Sequence, residues 1–373
     1  MTRPSIVVIS LIAALLLPTM VRPAPALVYF GTNDASNQMG LAAASFDTET
    51  GALSRPTFVA AARDPAFFAI RPDGRYLYIC NTGTPGGVSA YAIDRKSGGL
   101  TFLNHKVSPG RGPSHLSLDR NGRYVLNANY GGGHIEIHAI EADGSLGDQT
   151  AFVQHTGRSV HPQRQTKAYA HWFGVDPANR FSLAADLGTD RIVIYRFDAD
   201  TGSIAANDPP AMAVRPGSGP RHLAWHPNGR VVYAIQELSN AVIAFSWDDK
   251  RGVLDELQTI ATLPSDFKGT NTAGEIAVHP NGRFLYASNR GHDSIAVFAI
   301  DAGGRLALRR HVSSAGKTPR YFAFDPTHRW LIVSNQDSDN LVVFSIDQES
   351  GELSQQGEPI RLVKPMGVAF LPW

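Results

Sequence analysis

The sequence predicts an all-β protein, a seven-bladed β-propeller whose C-terminal strand closes the ring by pairing with the N-terminal blade. Three observations lead there: a hairpin turn that recurs six times, a strand-plus-acid unit that recurs seven times, and a strand at the C-terminus to complete the first repeat. Four short strands in each repeat of roughly 50 residues describe a propeller blade.

The turn unit runs Arg71-Pro72-Asp73-Gly74-Arg75-Tyr76, Asp119-Arg120-Asn121-Gly122-Arg123-Tyr124 and Asp176-Pro177-Ala178-Asn179-Arg180-Phe181. It returns as His226-Pro227-Asn228-Gly229-Arg230-Val231, His279-Pro280-Asn281-Gly282-Arg283-Phe284 and Asp325-Pro326-Thr327-His328-Arg329-Trp330. Asp-Gly and Asn-Gly supply the positive φ of a tight hairpin, and aromatic or β-branched residues flank them. The second unit is an alternating strand ending in Asp47, Asp94, Glu141, Asp198, Asp248, Asp301 or Asp347, followed by glycine and an aliphatic. The acids are spaced by 47, 47, 57, 50, 53 and 46 residues. Seven acids against six turns leave the first blade one strand short. Gly367-Val368-Ala369-Phe370-Leu371 is available to pair with that blade, which begins at Leu27-Val28-Tyr29-Phe30. Closure removes the unpaired edge that an open ring would expose.

Composition agrees and narrows the function. Of 373 residues, 43% are hydrophobic and 18% charged, enough for a large core, and the 35 glycines and 24 prolines suit a turn-rich chain. Thirty-four basic residues balance 33 acidic ones, which argues against a nucleic-acid or membrane-surface role. A single cysteine, Cys80, rules out an intramolecular disulfide and reads as a buried strand thiol. The histidines lack paired ligand spacing, so no metal or other cofactor is expected. Gly131-Gly132-Gly133 leads into a strand rather than a helix, and neither a nucleophile elbow nor a phosphate loop occurs.

The first 26 residues read as an address. Arg3, the apolar run from Ile6 to Leu17, and Ala24-Pro25-Ala26 are the parts of a secretory signal peptide, with cleavage expected after Ala26. The apolar run is too short to span a bilayer, which takes about 20 residues. A single domain over 27–373 is expected, in the periplasm or secreted, free of the membrane after cleavage. A closed ring needs no partner for stability, so a monomer is expected.

The repeat also locates a site. Antiparallel pairing puts the start of an innermost strand beside the end of the next. Arg221 with Glu237, His115 with Tyr130, His171 with Asp186, Glu275 with Arg290 and Arg320 with Gln336 should therefore ring one mouth of the central channel. The turn arginines, which recur in all six turn copies at the opposite face, read as scaffold, and Asn81, Asn129, Asn289 and Asn335 ending second strands read as groups that satisfy turns and loops. His115 and His222 share the context Gly-Pro-x-His-Leu and also lean structural. Arg221, Glu237, His171, Glu275 and Arg290 differ from blade to blade. Arg221, Arg290 and Arg320 on one rim imply a small anionic ligand, because a guanidinium presents a planar fork to phosphate or carboxylate.

Gly112-Pro113-Ser114-His115-Leu116, Ala128-Asn129-Tyr130-Gly131-Gly132-Gly133, Gly219-Pro220-Arg221-His222-Leu223 and Ser288-Asn289-Arg290-Gly291-His292-Asp293-Ser294 carry a resemblance. Asn271-Thr272-Ala273-Gly274-Glu275-Ile276 and Asn335-Gln336-Asp337-Ser338-Asp339-Asn340 extend it. The chain resembles the lactonase family of seven-bladed propellers, which includes one type of bacterial 6-phosphogluconolactonase and fungal carboxy-muconate cyclising enzymes. The resemblance implies a site of His171, Arg221, Glu237 and Arg290 acting on a small anionic sugar lactone, and the mouth residues His115, Tyr130, His222, Glu275, Arg320 and Gln336 are expected to bind that substrate. This chain has Tyr169-Ala170-His171 where the family often has His-Ala-His, and Pro319-Arg320-Tyr321 where it often has Pro-Arg-His. The implied reaction is metal-independent hydrolysis, with Arg221 and Arg290 stabilising the oxyanion and Glu237 or His171 activating water. Three alternatives stay open at this point. One is a calcium site of Glu237, Asn129, Asp186 and Asn289; the others are a muconate-type lyase and an exported binding module without catalysis.

Overall fold

A computed structural model describes residues 25–33 and 40–372. Among these, 28 strands, β1 (Ala26–Thr32) to β28 (Pro365–Phe370), form seven four-stranded antiparallel sheets, with no helix. Six sheets are built from four consecutive strands, and the seventh has the order β28-β1-β2-β3, where β2 is Gly40–Phe46 and β3 is Thr57–Ala61. Val28, Tyr29 and Phe30 face Phe370, Ala369 and Val368, so the C-terminal strand completes the first blade as the repeat predicts. The expected leader lies outside the described residues except for Pro25 and Ala26, and Ala26 opens β1 opposite Phe46.

Apolar side chains pack between blades rather than within them. Seven clusters of buried side chains each draw on two adjacent sheets; one joins Tyr29 and Leu41 to Phe68, Leu77 and Ile79, and another joins Phe30 and Phe46 to Trp330 and Ile332. The second strand of a blade has neighbours on both faces and is buried throughout, as in Tyr76–Asn81 and Val231–Gln236, whereas fourth strands are largely exposed. That difference explains why the inner strands read as nearly continuous apolar runs. Cys80 lies in this buried layer.

The recurring residues tie neighbouring blades together. Tyr29, Tyr78, Tyr233 and Tyr286 donate their buried hydroxyls to the carbonyls of Gly98, Gly144, Gly304 and Gly351 in the next blade. The turn arginines Arg123, Arg180, Arg283 and Arg329 donate to carbonyls of Asp200, Asp249, Glu349 and Thr48, again one blade on. The repeated acids cap turns: Asp94, Asp198, Asp248 and Asp347 accept from the backbone two residues ahead, as Asx turns do.

Candidate active site

The innermost strands are β4 (Pro65–Ile70), β8 (Pro113–Leu118), β12 (Ala170–Val175), β16 (Pro220–Trp225), β20 (Thr272–Val278), β24 (Pro319–Phe324) and β28. Five begin with proline, which donates no ladder bond and suits the first position of a strand. Each then carries one extra residue relative to its partner strand. A bulge bends the strand and re-aims its side chains. The residue after the last paired position before the bulge is Ala66, Ser114, His171, Arg221, Gly274, Arg320 or Met366. The one after that is Phe67, His115, Trp172, His222, Glu275, Tyr321 or Gly367.

The second set plugs the channel. Phe67 packs on His115 at 4.2 Å, Tyr321 at 4.9 Å and His222 at 5.6 Å between ring centres, and His115 packs on Trp172 at 5.3 Å. Nδ1 of His222 lies 3.1 and 3.2 Å from the two Glu275 oxygens. Burial lowers the pKa of His115 and His222 well below the ordinary histidine value; His222 and Arg221 add to the effect on His115, and Arg221 and Arg290 to that on His222. Burial raises Glu275 to about 7 against the pull of Arg221.

Above this floor sits Glu237, the first residue past β17 (Val231–Gln236), held there because its backbone N–H donates to Gly219 O at 2.8 Å. Its Oε2 accepts Nε of Arg221 at 3.0 Å and lies 2.9 Å from an Arg290 nitrogen, while its Oε1 accepts from Arg164. Burial pushes the Glu237 pKa up, but Arg290, Arg221 and Arg164 outweigh it and hold the carboxyl well below the usual carboxylate range. Arg221 and Arg290 are themselves anchored, donating to Gly274 O at 2.7 Å and Ala273 O at 2.9 Å. Burial and Arg290 lower Arg221 to about 9, partly opposed by Glu237. Nε2 of His171 lies 4.0 Å from Glu237 Oε2, and its Nδ1 is buried with no hydrogen-bond partner among the described residues. Burial, then Arg221 and His222, hold this imidazole neutral at neutral pH.

The structure thus brings His171, Arg221, Glu237 and Arg290 into one cluster, with His222 and Glu275 beneath. Two of the five expected pairs meet through their side chains: Arg221 with Glu237, and Arg320 with Gln336 at 3.5 Å. These are the pairs 16 residues apart; the three pairs 15 apart straddle the bulge and join positions that are not equivalent. His115 belongs to the floor, and Tyr130 instead stacks on Tyr169 at 4.7 Å and meets His171 edge-on at 5.3 Å. Asp186 faces His155 at 2.8 Å and accepts from the backbone of Gly188, not His171. Glu275 faces His222, while Arg290 goes to Glu237. Two members of the alternative calcium set have protein partners: Asn129 meets Gly132 N and Pro109 O, and Asn289 meets Thr262 Oγ1 and Thr262 O. Sequence reasoning missed Arg164, which lies on an insertion; the 57-residue interval between Glu141 and Asp198 marks its place.

Residues 27–370 match the family model described as Lactonase, 7-bladed beta-propeller. The chain belongs to that lactonase family. The lactonase is 38% identical over 345 residues to a 6-phosphogluconolactonase of Bacillus subtilis, covering 92% of this chain and 97% of that one. A 6-phosphogluconolactonase of Formosa agariphila is 31% identical over 295 residues, 77% of the lactonase and 82% of its relative. The solved structure of a periplasmic gluconolactonase from Pseudomonas aeruginosa superposes with a TM-score of 0.87 at 31% identity, over 93% of the lactonase and 99% of that chain. The enzyme class follows: the lactonase is a carboxylic-ester hydrolase acting on cyclic esters.

Proposed function

We infer that this lactonase hydrolyses a sugar lactone at the mouth above the plug, with His171 as general base and the arginines as the electrostatic frame. The observation that carries the assignment is the contrast between His171 and Glu237. Glu237 is ionised, but its oxygens are occupied by Arg164, Arg221 and Arg290. His171 is neutral, buried beside that carboxylate, and has Nδ1 unoccupied. Water attacks the ester carbonyl as its proton passes to His171; the ring oxygen then leaves with that proton, giving the open hydroxy acid. Glu237 stabilises the imidazolium formed in between, and Arg221 and Arg290 stabilise the developing oxyanion.

Export is part of the same reading. A leader-like segment over 1–26 and likeness to a periplasmic gluconolactonase both support action outside the cytoplasm. Sequencing the N-terminus of exported protein should give Leu27; recovery of Met1 or Thr2 would contradict cleavage.

The test of the reaction is proton release on glucono-δ-lactone and on its 6-phosphate, corrected for spontaneous opening. His171→Asn should lower kcat by about 10²–10⁴-fold with KM little changed, the range typical of positioned acid–base catalysis. The wild-type rate should fall only below pH 6.5, because the imidazole must be neutral to accept the proton and its pKa is depressed. A kcat unmoved by His171→Asn would remove it as the base, and no release on either lactone would remove the hydrolytic reading.

A further inference from the structure

The connection from β11 (Leu146–Gln154) to β12, residues 155–169, crosses the mouth and is pinned along its length. His155 is held between Asp186 and the Tyr195 hydroxyl at 2.8 Å each. The Gln165 amide donates to Leu187 O at 2.8 Å, and Lys167 donates to Gly131 O. The backbone carrying Arg164 is therefore fixed, and its side chain is the part with freedom to swing.

Arg164 differs from the other two arginines on Glu237. Its side chain is 36% exposed, against 3% for Arg221 and 11% for Arg290. The other two also hold backbone carbonyls of the mouth and both use Glu237 Oε2; Arg164 alone takes Oε1. Its departure would leave the cradle of Glu237, Arg221 and Arg290 standing. Three guanidiniums around one carboxylate, with Arg320 beyond, leave a surplus of positive charge at the opening. The Tyr130–Tyr169 stack beside Arg164 gives a flat apolar face suited to the carbon skeleton of a sugar.

We propose that Arg164 is the specificity-determining residue of this site: its guanidinium exchanges Glu237 for an anionic group, phosphate or carboxylate, at the end of the sugar remote from the lactone carbonyl. The proposal rests on the sugar-lactone reading of the mouth and adds the residue that discriminates among lactones by their remote terminus. A guanidinium offers a bidentate fork to either anion, whereas here it is divided between Glu237 Oε1 and the Tyr130 hydroxyl.

Binding and turnover together test it. Calorimetric titration with gluconate, glucarate and 6-phosphogluconate compares hydroxyl, carboxylate and phosphate at one position of the same carbon chain. The wild type should bind one or both of the charged-terminus acids at least tenfold more tightly than gluconate, and which of them does so identifies the anion. Arg164→Gln should lose about 10- to 100-fold in affinity for that acid, the span expected for a hydrogen bond to a charged group, and so collapse the preference. Arg164→Lys, which keeps the charge without the fork, should retain part of it. An equal preference in the wild type and a folded Arg164→Gln, or no preference in the wild type, would overturn the proposal. Lactone hydrolysis measured on the same samples separates the two readings: preference without hydrolysis overturns the reaction and leaves an anion site at Arg164, whereas hydrolysis without preference overturns only the role of Arg164.

Discussion

Glu237 and Glu275 are buried carboxylates of one channel, and their surroundings drive them in opposite directions. Glu237 meets three guanidiniums through direct contacts, which overcome the cost of its burial. Glu275 has a histidine and the Ile276 N–H as partners, with Arg221 and Arg290 acting from further off, so burial dominates and its pKa rises to about 7. A raised value in the folded state contributes stability that is full below the unfolded value near 4.5 and is lost as pH rises through 7. Glu275→Gln removes that dependence. In thermal melts from pH 5 to 9, Tm of the variant minus that of the wild type should therefore increase with pH between 5 and about 7 and level off above it; a flat difference would show that Glu275 is ionised throughout. The neutral floor and mouth histidines act with the other sign. Burial lowers His115, His171 and His222, so the unfolded chain binds more protons than the folded one below about pH 6.5, and stability falls there on acidification.

The bulged inner strand is the element that converts a scaffold repeat into a site. Gly274 occupies the bulge position in the sixth blade, and a Cβ there would stand 2.5 Å from Ser288 Oγ and 3.3 Å from Arg290 Nε. Ser288 Oγ accepts the Glu275 N–H at 2.8 Å. Gly274→Ala should therefore displace Ser288 and push Arg290 off Glu237, cutting kcat/KM by about tenfold or more while shifting stability by the 1–3 kcal/mol typical of overpacking; assays of activity and urea melts on the same preparation check both. Turns, strand ends and ring closure were legible in the sequence because each depends on local chemistry: Asp-Gly and Asn-Gly hairpins, capping acids, alternating apolar residues. The bulges were not, since an extra residue in a buried strand leaves no mark in an apolar run, and of the expected pairs only those at offset 16 meet through their side chains. The quartet His171, Arg221, Glu237 and Arg290 was found because these residues break the repeat. Arg164 escaped the same comparison because its segment has no counterpart in the other blades to be compared with.

At the scale of the whole molecule, stability is distributed around the ring, in seven apolar interfaces reinforced by tyrosine and arginine ties between neighbours. Such a ring is only as secure as its seam. Deleting residues 365–373 would strip β1 of its inner partner and bare one edge of the first sheet, and the truncated chain should lose its cooperative melt and associate through that edge; a monomeric elution profile with an unchanged Tm would show that the seam is dispensable. The placement of the seam also sets a clock on biosynthesis. Tyr29 leaves the ribosome long before its partner Ala369, so the ring cannot shut until β28 has been made. Met366 and Gly367, which complete the circle of bulges around the mouth, arrive in that same final strand. A nascent chain can therefore hold six finished blades while the first still waits for its inner strand, and the circle of bulges stays open at one point until Pro365–Phe370 docks.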